Sequence, residues 1–223
     1  MLKLRGVTKS YGGVRSRTVL RDVVLEVGRG EFVAIMGESG IGKSTLLNVI
    51  AGLDIPDAGT VMLDEIELTA LDDHRRTEIR RRSMGFVFQA FHLLPHLTVG
   101  RNVRLPLDLL GVDPANAAQR MQAMLDAVGI GAMARDYPRS LSGGEAQRAA
   151  IARALVHEPA LVLADEPTGN LDAENAAEVL SLLREQVKQR GAACVLVTHS
   201  AAAARSADRV YELTTAGLMP RDV

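Results

Sequence analysis

The chain has one cysteine, no excess charge of either sign and no long apolar run among its 223 residues. With Cys194 alone, no intrachain disulfide can form. That cysteine lies in the apolar, strand-like stretch Ala193 to Val197, where a thiol is an inert buried group. The 26 basic and 27 acidic residues balance, so nothing draws the whole chain toward nucleic acid, and no nucleic-acid partner is expected. The one basic cluster, His74-Arg75-Arg76 with Arg80-Arg81-Arg82, is interleaved with Asp72, Asp73 and Glu78, as on a solvated helix face. No segment approaches the roughly 18 apolar residues that a bilayer span needs. Met1-Leu2-Lys3-Leu4-Arg5 lacks the apolar stretch of a signal peptide. The expectation is a cytoplasmic chain that another polypeptide must bring to any membrane it serves. Tandem repeats and low-complexity linkers are also missing, and the length suits one α/β domain with a sizeable core.

What is present begins with Gly37-Glu38-Ser39-Gly40-Ile41-Gly42-Lys43-Ser44-Thr45. The loop follows the apolar run Phe32 to Met36, a candidate buried strand, and precedes Leu46 to Ala51, a candidate helix. Strand, glycine loop with Lys-Ser, then helix is the context of a phosphate-binding loop. Its glycines let successive N–H groups point inward at an anion, and the helix N-terminus adds partial positive charge. Lys43 can reach the terminal phosphates and the Ser44 hydroxyl can ligate Mg²⁺. The bland alternative is a glycine turn.

Short strand patterns occupy the first 36 residues, including Thr18 to Leu20 and Val23 to Val27, with turns at Gly12-Gly13 and Gly28-Arg29-Gly30. Gly52 to Leu68 suggests a hairpin and Gly85 to Phe88 another strand. Residues near 90 to 157 read as helices, with Arg120 to Val128 amphipathic and Glu145 to His157 rich in alanine. Leu161 to Ala164 and Ala193 to Thr198 return to buried strand, around a periodic helix from Glu174 to Arg190 that Gly191 stops. Apolar strands alternating with helices around a phosphate loop predict a parallel sheet, with phosphate at the strands' carboxyl ends. The middle segment reads as a helical subdomain inserted into that core.

Asp165 and Glu166 close the strand Leu161 to Ala164. In one sheet with a phosphate loop, Asp165 suits Mg²⁺ coordination. Glu166 can face a water attacking the γ-phosphate, as general base or water-positioner. Alternatively the pair merely ends a strand. Leu141-Ser142-Gly143-Gly144-Glu145 precedes a helix, and Ser142 with Glu145 has capping-box spacing. Two adjacent glycines also leave N–H groups unobstructed, which makes a second anion site at a helix N-terminus. A sensible use is to close on the nucleotide of a second copy.

With LSGGE followed by Ala146-Gln147-Arg148, ahead of ADEPTGNLD, the chain resembles the ATP-binding cassette family of transporter ATPases over essentially its full length. The resemblance implies a P-loop NTPase core with a mainly parallel sheet, an N-terminal antiparallel β subdomain and an inserted helical subdomain at about 90–157. All of this would form one domain over residues 1–223. It implies ATP and Mg²⁺ as ligands. Tyr11 fits the aromatic that stacks on adenine, and Gln89 the glutamine that senses Mg²⁺ and the attacking water. Asn170-Leu171-Asp172 fits a loop crossing the dimer interface, and His199 the histidine at the γ-phosphate. The plainer alternatives are a surface tyrosine, a polar strand end, a turn and a structural histidine.

A finer resemblance, to the lipoprotein-release, macrolide-export and cell-division ATPases, rests on four kinds of local match. These are Gly85 to Gln89, Leu93-Leu94-Pro95 with Asn102-Val103 and Leu105-Pro106-Leu107, Thr168 to Asp172, and a short extension after Tyr11. Glu38 stands where a proline or small residue is common, and Arg101 where the group often has glutamate. The chain ends soon after Tyr211-Glu212-Leu213, so no regulatory C-terminal domain is expected. The implied partners are a second copy, in an ATP-dependent head-to-tail dimer, and a transmembrane permease subunit on the inner face of the cell membrane. Phe91, Leu93, Leu94, Pro95 and Leu97 either pack the helical subdomain or form an apolar cleft for that permease. The alternative function is an ATP-dependent regulator of a membrane or cell-wall protein that transports nothing. A DNA-repair or ribosome-associated cassette is disfavoured, since no long coiled coil separates Lys43 from Ser142.

Overall fold

The computed structural model describes residues 1–12 and 17–222. Strands β1 (Leu2–Tyr11) and β2 (Arg17–Val27) pair antiparallel. Their apolar positions Leu2, Leu4 and Val7 pack with Leu20, Val23, Leu25 and Val27 on one face. Where the pattern predicts two short strands over 18–27, one strand runs through, bending at Asp22 with φ 45° and shifting register against β1. The predicted Gly12-Gly13 turn and the extension after Tyr11 fall partly on residues 13–16, outside the described residues.

Strand β3 (Phe32–Met36) is buried at all five positions, as a central parallel strand must be, and leads into helix α1 (Lys43–Ile50). Strands β4 (Ala58–Leu63) and β5 (Ile66–Glu67) form the expected hairpin and complete a four-stranded sheet in the order β2-β1-β4-β5. Helix α2 (Asp73–Ser83), capped by Asp72, carries the basic cluster. The solvated-face expectation holds for His74, Arg75, Arg81 and Arg82, which are exposed. It fails for Arg76, which is buried with Nη1 on the Leu71 carbonyl at 2.8 Å. It also fails for Arg80, whose Nη1 donates to the Gly52 carbonyl at 2.8 Å, just beyond α1.

Then follow β6 (Met84–Phe88), α3 (Val99–Leu109), α4 (Pro114–Ala127), α5 (Gly143–Leu155), β7 (Leu161–Asp165), α6 (Ala173–Gln189), β8 (Ala193–Thr198), α7 (Ala201–Ala204), β9 (Arg209–Thr214) and β10 (Gly217–Pro220). The second sheet has the order β10-β9-β3-β8-β7-β6, parallel except for the β9–β10 hairpin. Alternate residues of its central strands face opposite cores. Phe32, Ala34, Val162, Ala164, Cys194 and Leu196 meet the helices α3 to α7, while Val33, Ile35, Leu161, Leu163, Val195 and Val197 meet α1 and the antiparallel sheet. Cys194 is fully buried, and burial pushes its thiol pKa far up, so it is inert as expected. Among the described residues, no helix is long and apolar enough to cross a membrane.

Helix α3 begins under a cap from Thr98 and is anchored by Asn102. That fully buried side chain accepts from the Leu94 N–H at 2.7 Å and donates to the carbonyls of Leu94, Leu97 and Thr98. Helix α5 lies so close to β6 that a Cβ on Gly85 would stand 2.1 Å from the Ala154 carbonyl oxygen. Backbone on backbone cannot yield there, so Gly85→Ala should force α5 off the sheet. The expected loss is about 1–3 kcal/mol of stability, read as a lowered urea midpoint at unchanged slope.

Candidate functional site

The carboxyl ends of β3, β6 and β7 open on a cleft of about 510 Å³, and His199, after β8, does not line it. Tyr11, Ser39, Gly40, Gly42, Lys43, Ser44, Thr45, Gln89, Asp165 and Glu166, all singled out in the sequence, line it. The loop before α1 is shaped by its glycines. Gly42 caps the helix at φ 118°, with no side chain bonding its first N–H groups, and Gly40 has φ 75°. A Cβ on Gly42 would lie 2.5 Å from Val19 Cγ1. The loop therefore presents bare amides at a helix N-terminus, the geometry of an anion cradle. Lys43 is buried, and its Nζ donates to the carbonyls of Gly37 at 2.7 Å and Glu38 at 3.1 Å. The Glu38 side chain is exposed, clear of the cradle. Ile41 packs against the core beneath the antiparallel sheet, so it shapes the loop from below.

Two carboxylates face this cradle. Burial raises the pKa of Asp165, Glu166 adds to the rise, and the bond from Ser44 with the charge of Lys43 offsets part of it. Glu166 sits at φ 45°, a left-handed conformation that costs a non-glycine residue roughly 1–3 kcal/mol. Its backbone N–H is tied to the Val197 carbonyl at 3.0 Å. Both carboxylate oxygens are held: the Thr198 hydroxyl donates to Oε2 at 3.0 Å, and His199 Nδ1 stands 2.8 Å from Oε1. Lys43 Nζ is 4.0 Å from the same Oε1. Gln89 Nε2 donates to Asn170 Oδ1 at 3.0 Å, and Asn170 Nδ2 returns a bond to the Gln89 carbonyl at 3.0 Å. Gly169 permits this approach, since a Cβ there would meet Gln89 Nε2 at 2.6 Å.

Among the described residues, no three His, Cys, Asp or Glu side chains converge as a complete metal cage. The donor set still suits Mg²⁺, which takes one or two carboxylates and hydroxyls and fills its remaining positions with phosphate and water. The Ser44 hydroxyl beside the half-buried Asp165 carboxyl, with Gln89 lining the same cleft, is such a set.

Ser142, Gly143 and Gly144 lie outside the cleft. The capping box is formed: Glu145 Oε2 accepts from both the Ser142 N–H and hydroxyl at 2.8 Å, which lowers the Glu145 pKa. The two glycines let α5 approach Leu171 and Asn175, beside the loop that holds Gln89. Ser142 and Gly143 are exposed and Gly144 is buried, and none of the three lines their own chain's cleft.

The cleft also contains Arg17, Phe88 and His92, which the sequence reading passed over. A second concavity of about 690 Å³ is mainly apolar, lined by Leu53, Phe86, Phe88, Leu105, Pro106 and Leu109 with the stems of Arg80 and Arg153. None of Phe91, Leu93, Leu94, Pro95 and Leu97, read as either subdomain core or an apolar cleft, lines this concavity. Leu93 packs on the main core, and the Leu94 backbone is held by Asn102.

A family model described as ABC transporter matches residues 20–169. The lipoprotein-releasing system ATP-binding protein LolD of Saccharophagus degradans is 47% identical over 214 residues, covering 96% of this chain and 94% of that protein. An uncharacterized ABC transporter ATP-binding protein of Mycobacterium tuberculosis is 45% identical, covering 93% and 84%. Among solved structures, the dimeric bacterial ABC transporter cassette MJ0796 superposes with TM-score 0.88 at 41% identity, over 98% of this chain and 96% of that one. A post-hydrolysis state of the same cassette bound to ADP and Pi also gives 0.88, at 40% identity and complete coverage of both chains.

The loop geometry generates a direct expectation. Gly42→Ala places a side chain against Val19 in a backbone conformation that L residues avoid. It should weaken ATP binding at least roughly tenfold, on the order of 1–3 kcal/mol of strain, measured by titration with a fluorescent ATP analogue.

Proposed function

The chain belongs to the ABC transporter family as an ATP-hydrolysing cassette that serves a membrane transporter, and we propose that its complex releases lipoproteins from the membrane in which its permease sits. The reading rests on the match to a lipoprotein-releasing ATP-binding protein along 94% of that protein's length. A regulator that transports nothing is not favoured, because the relatives are transporter components.

Residues 1–223 are read as one ATPase domain with a helical subdomain inserted at about 90–157, a division supported by α3 and α4 packing on α5. ATP lies with its phosphates in the cradle of residues 37–45 and its base against Tyr11. Ser44, Asp165 and Gln89 would hold Mg²⁺, which would supply positive charge against the charge that develops on the phosphates. Glu166 accepts the proton of the attacking water as its oxygen bonds to the γ-phosphorus and the bond to ADP breaks. Thr198 and His199 aim that carboxylate. Lys43 gives up its loop carbonyls for the terminal phosphate oxygens. The exposed Ser142 and Gly143, with the buried Gly144 behind them, complete the site of a second copy in a head-to-tail dimer. Hydrogen-bond donors then surround the transferring phosphoryl group only on closure, when water is excluded.

The apolar concavity beside Phe88 is read as the seat of a cytoplasmic helix of the permease. Its position supports this, since Phe88 lines both that concavity and the nucleotide cleft and directly precedes Gln89. Through this contact the chain works at the inner face of the membrane without entering it.

Two measurements test these readings. Glu166→Gln should retain ATP binding and lose turnover by roughly 10² or more, with an ATP-bound dimer accumulating on size exclusion; near-normal phosphate release would refute the role of Glu166. Leu53→Ser with Leu109→Ser alters two side chains that are more than half exposed. The pair should lose co-purification with the permease while the isolated subunit keeps its thermal midpoint.

A further inference from the structure

Tyr11 is the last residue of β1, 45% exposed, on the wall of the nucleotide cleft. A tyrosine so placed has freedom to lose when a base stacks on it, yet here it is tied down. Its hydroxyl donates to Asp54 Oδ2, and the Thr45 hydroxyl, in the first turn of α1, is a second hydrogen-bonding neighbour. The other oxygen of Asp54 accepts from Lys9 Nζ at 2.7 Å. Lys9 also donates to the Ile55 carbonyl at 2.7 Å, so the ammonium is pinned twice. Lys9 and Tyr11 are two apart on a strand and therefore share a face. The Lys9 ammonium stands 5.1 Å from the Tyr11 ring centroid, within cation–π range. Neighbouring bonds stitch the same loop to the strand: Ser10 N–H to Asp57 Oδ2 at 2.6 Å and Asp57 N–H to the Thr8 carbonyl at 2.8 Å. The charges agree with the geometry. The bond to Asp54 raises both the Lys9 ammonium and the Tyr11 phenol. Burial pulls Asp54 upward, but the bonds from Lys9 and Tyr11 hold it below its ordinary value.

We propose that Asp54 and Lys9 are positioning residues that hold Tyr11 as a preset platform for the nucleobase. This rests on the reading of Tyr11 as the base-stacking residue. Asp54 fixes the outer end of the ring, and Lys9 covers part of its surroundings with positive charge. Asp54 lies four residues beyond the end of α1 and its N–H bonds to the Asn48 carbonyl of that helix at 3.2 Å, so the ring's position is set relative to the phosphate cradle at the helix's other end. The distance between base and phosphates is thereby built in before nucleotide arrives. Binding then does not carry the cost of ordering a rotamer-rich side chain, a saving that corresponds to roughly three- to tenfold in affinity.

The test compares ligands with and without a base on the full chain. Asp54→Ala should weaken binding of a fluorescent ATP analogue and raise the KM for ATP by roughly three- to tenfold, with kcat held within twofold. Inhibition by inorganic tripolyphosphate, which offers phosphates and no base, should not change. Tyr11→Phe, which keeps the ring and loses the tether, should weaken ATP similarly, and the double variant should be no worse than either single one. Asp54→Asn, which still accepts the phenol's bond, should recover part of the affinity. Unchanged ATP affinity in Asp54→Ala overturns the proposal, as does equal weakening of ATP and tripolyphosphate, which would mark a loop-folding role. Tyr11→Ala separates the two levels. If it leaves ATP affinity intact, the stacking reading fails and the clamp with it. If it weakens ATP while Asp54→Ala and Tyr11→Phe do not, only the clamp fails.

Discussion

The parallel register of four strands brings together residues that are far apart along the chain. Met36 pairs with Thr198, Val197 with Asp165, and Asp165 with Phe88. These pairings end the strands level with one another. The glycine loop after Met36, Gln89 after Phe88, Glu166 after Asp165 and His199 after Thr198 consequently share one edge. Side chains alternate faces along a strand, so a slip of one residue in any ladder would turn Asp165 or Thr198 to the wrong side. The ladder resists slipping because both faces of β3, β7 and β8 are buried in different cores. The apolar packing on the two faces of the sheet is thus what makes the chemistry at its edge possible.

That edge concentrates charge in a small space. Asp165 and Glu166 are adjacent carboxylates, with Lys43 as the nearby cation. Glu166 stays in a strained backbone conformation because its neighbours over-determine it: a bond from its N–H to β8, one from Thr198 and one with His199. Strain held by surrounding bonds is a recurrent mark of working sites. The same logic separates Glu166 from Asp165. The first is oriented by hydrogen bonds at both oxygens, whereas the second is half-buried and shares its bond with Ser44. Two acids one residue apart are thereby given different environments, which is how two roles can be divided between them.

Much of this was legible in sequence because the signals are local. The glycine loop with its flanking strand and helix falls within Phe32 to Ile50, the capping box within Ser142 to Glu145, and all formed as read. Contacts made by tertiary packing were not legible. The apolar concavity draws Leu53 from beyond α1, Phe86 and Phe88 from β6, and Leu105 and Leu109 from α3. No periodicity within one element announces it, and the nearer apolar residues 91–97 left a cleft and a subdomain core equally open. Lys9 and Asp54 are 45 residues apart, and neither belongs to a motif. Arg76 and Arg80 read as solvated because a charge run carries no mark of the carbonyls that some of its members will meet.

The segment after Gln89 shows how the nucleotide edge and the helical part of the chain are mechanically joined. Phe91 and His92 are consecutive non-glycine residues at φ 59° and 49°. Each such residue costs on the order of 1–3 kcal/mol unless its surroundings enforce it. The enforcement comes from Arg153 on α5, which donates to the Phe91 carbonyl at 2.8 Å and to the His92 carbonyl at 2.5 Å. Helix α5 begins at the Ser142 cap, and its first glycines rest against Leu171 and Asn175, next to the Asn170 that holds Gln89. The helix therefore grips both sides of Gln89, through Arg153 on the segment that follows it and through the 169–175 loop across from it. Any shift of α5 relative to the sheet must either carry Gln89 with it or break charge-assisted bonds that stabilise a strained turn. For a cassette of this family, that is the physical requirement for an outward-facing Ser142 and an inward-facing Gln89 to respond to one another.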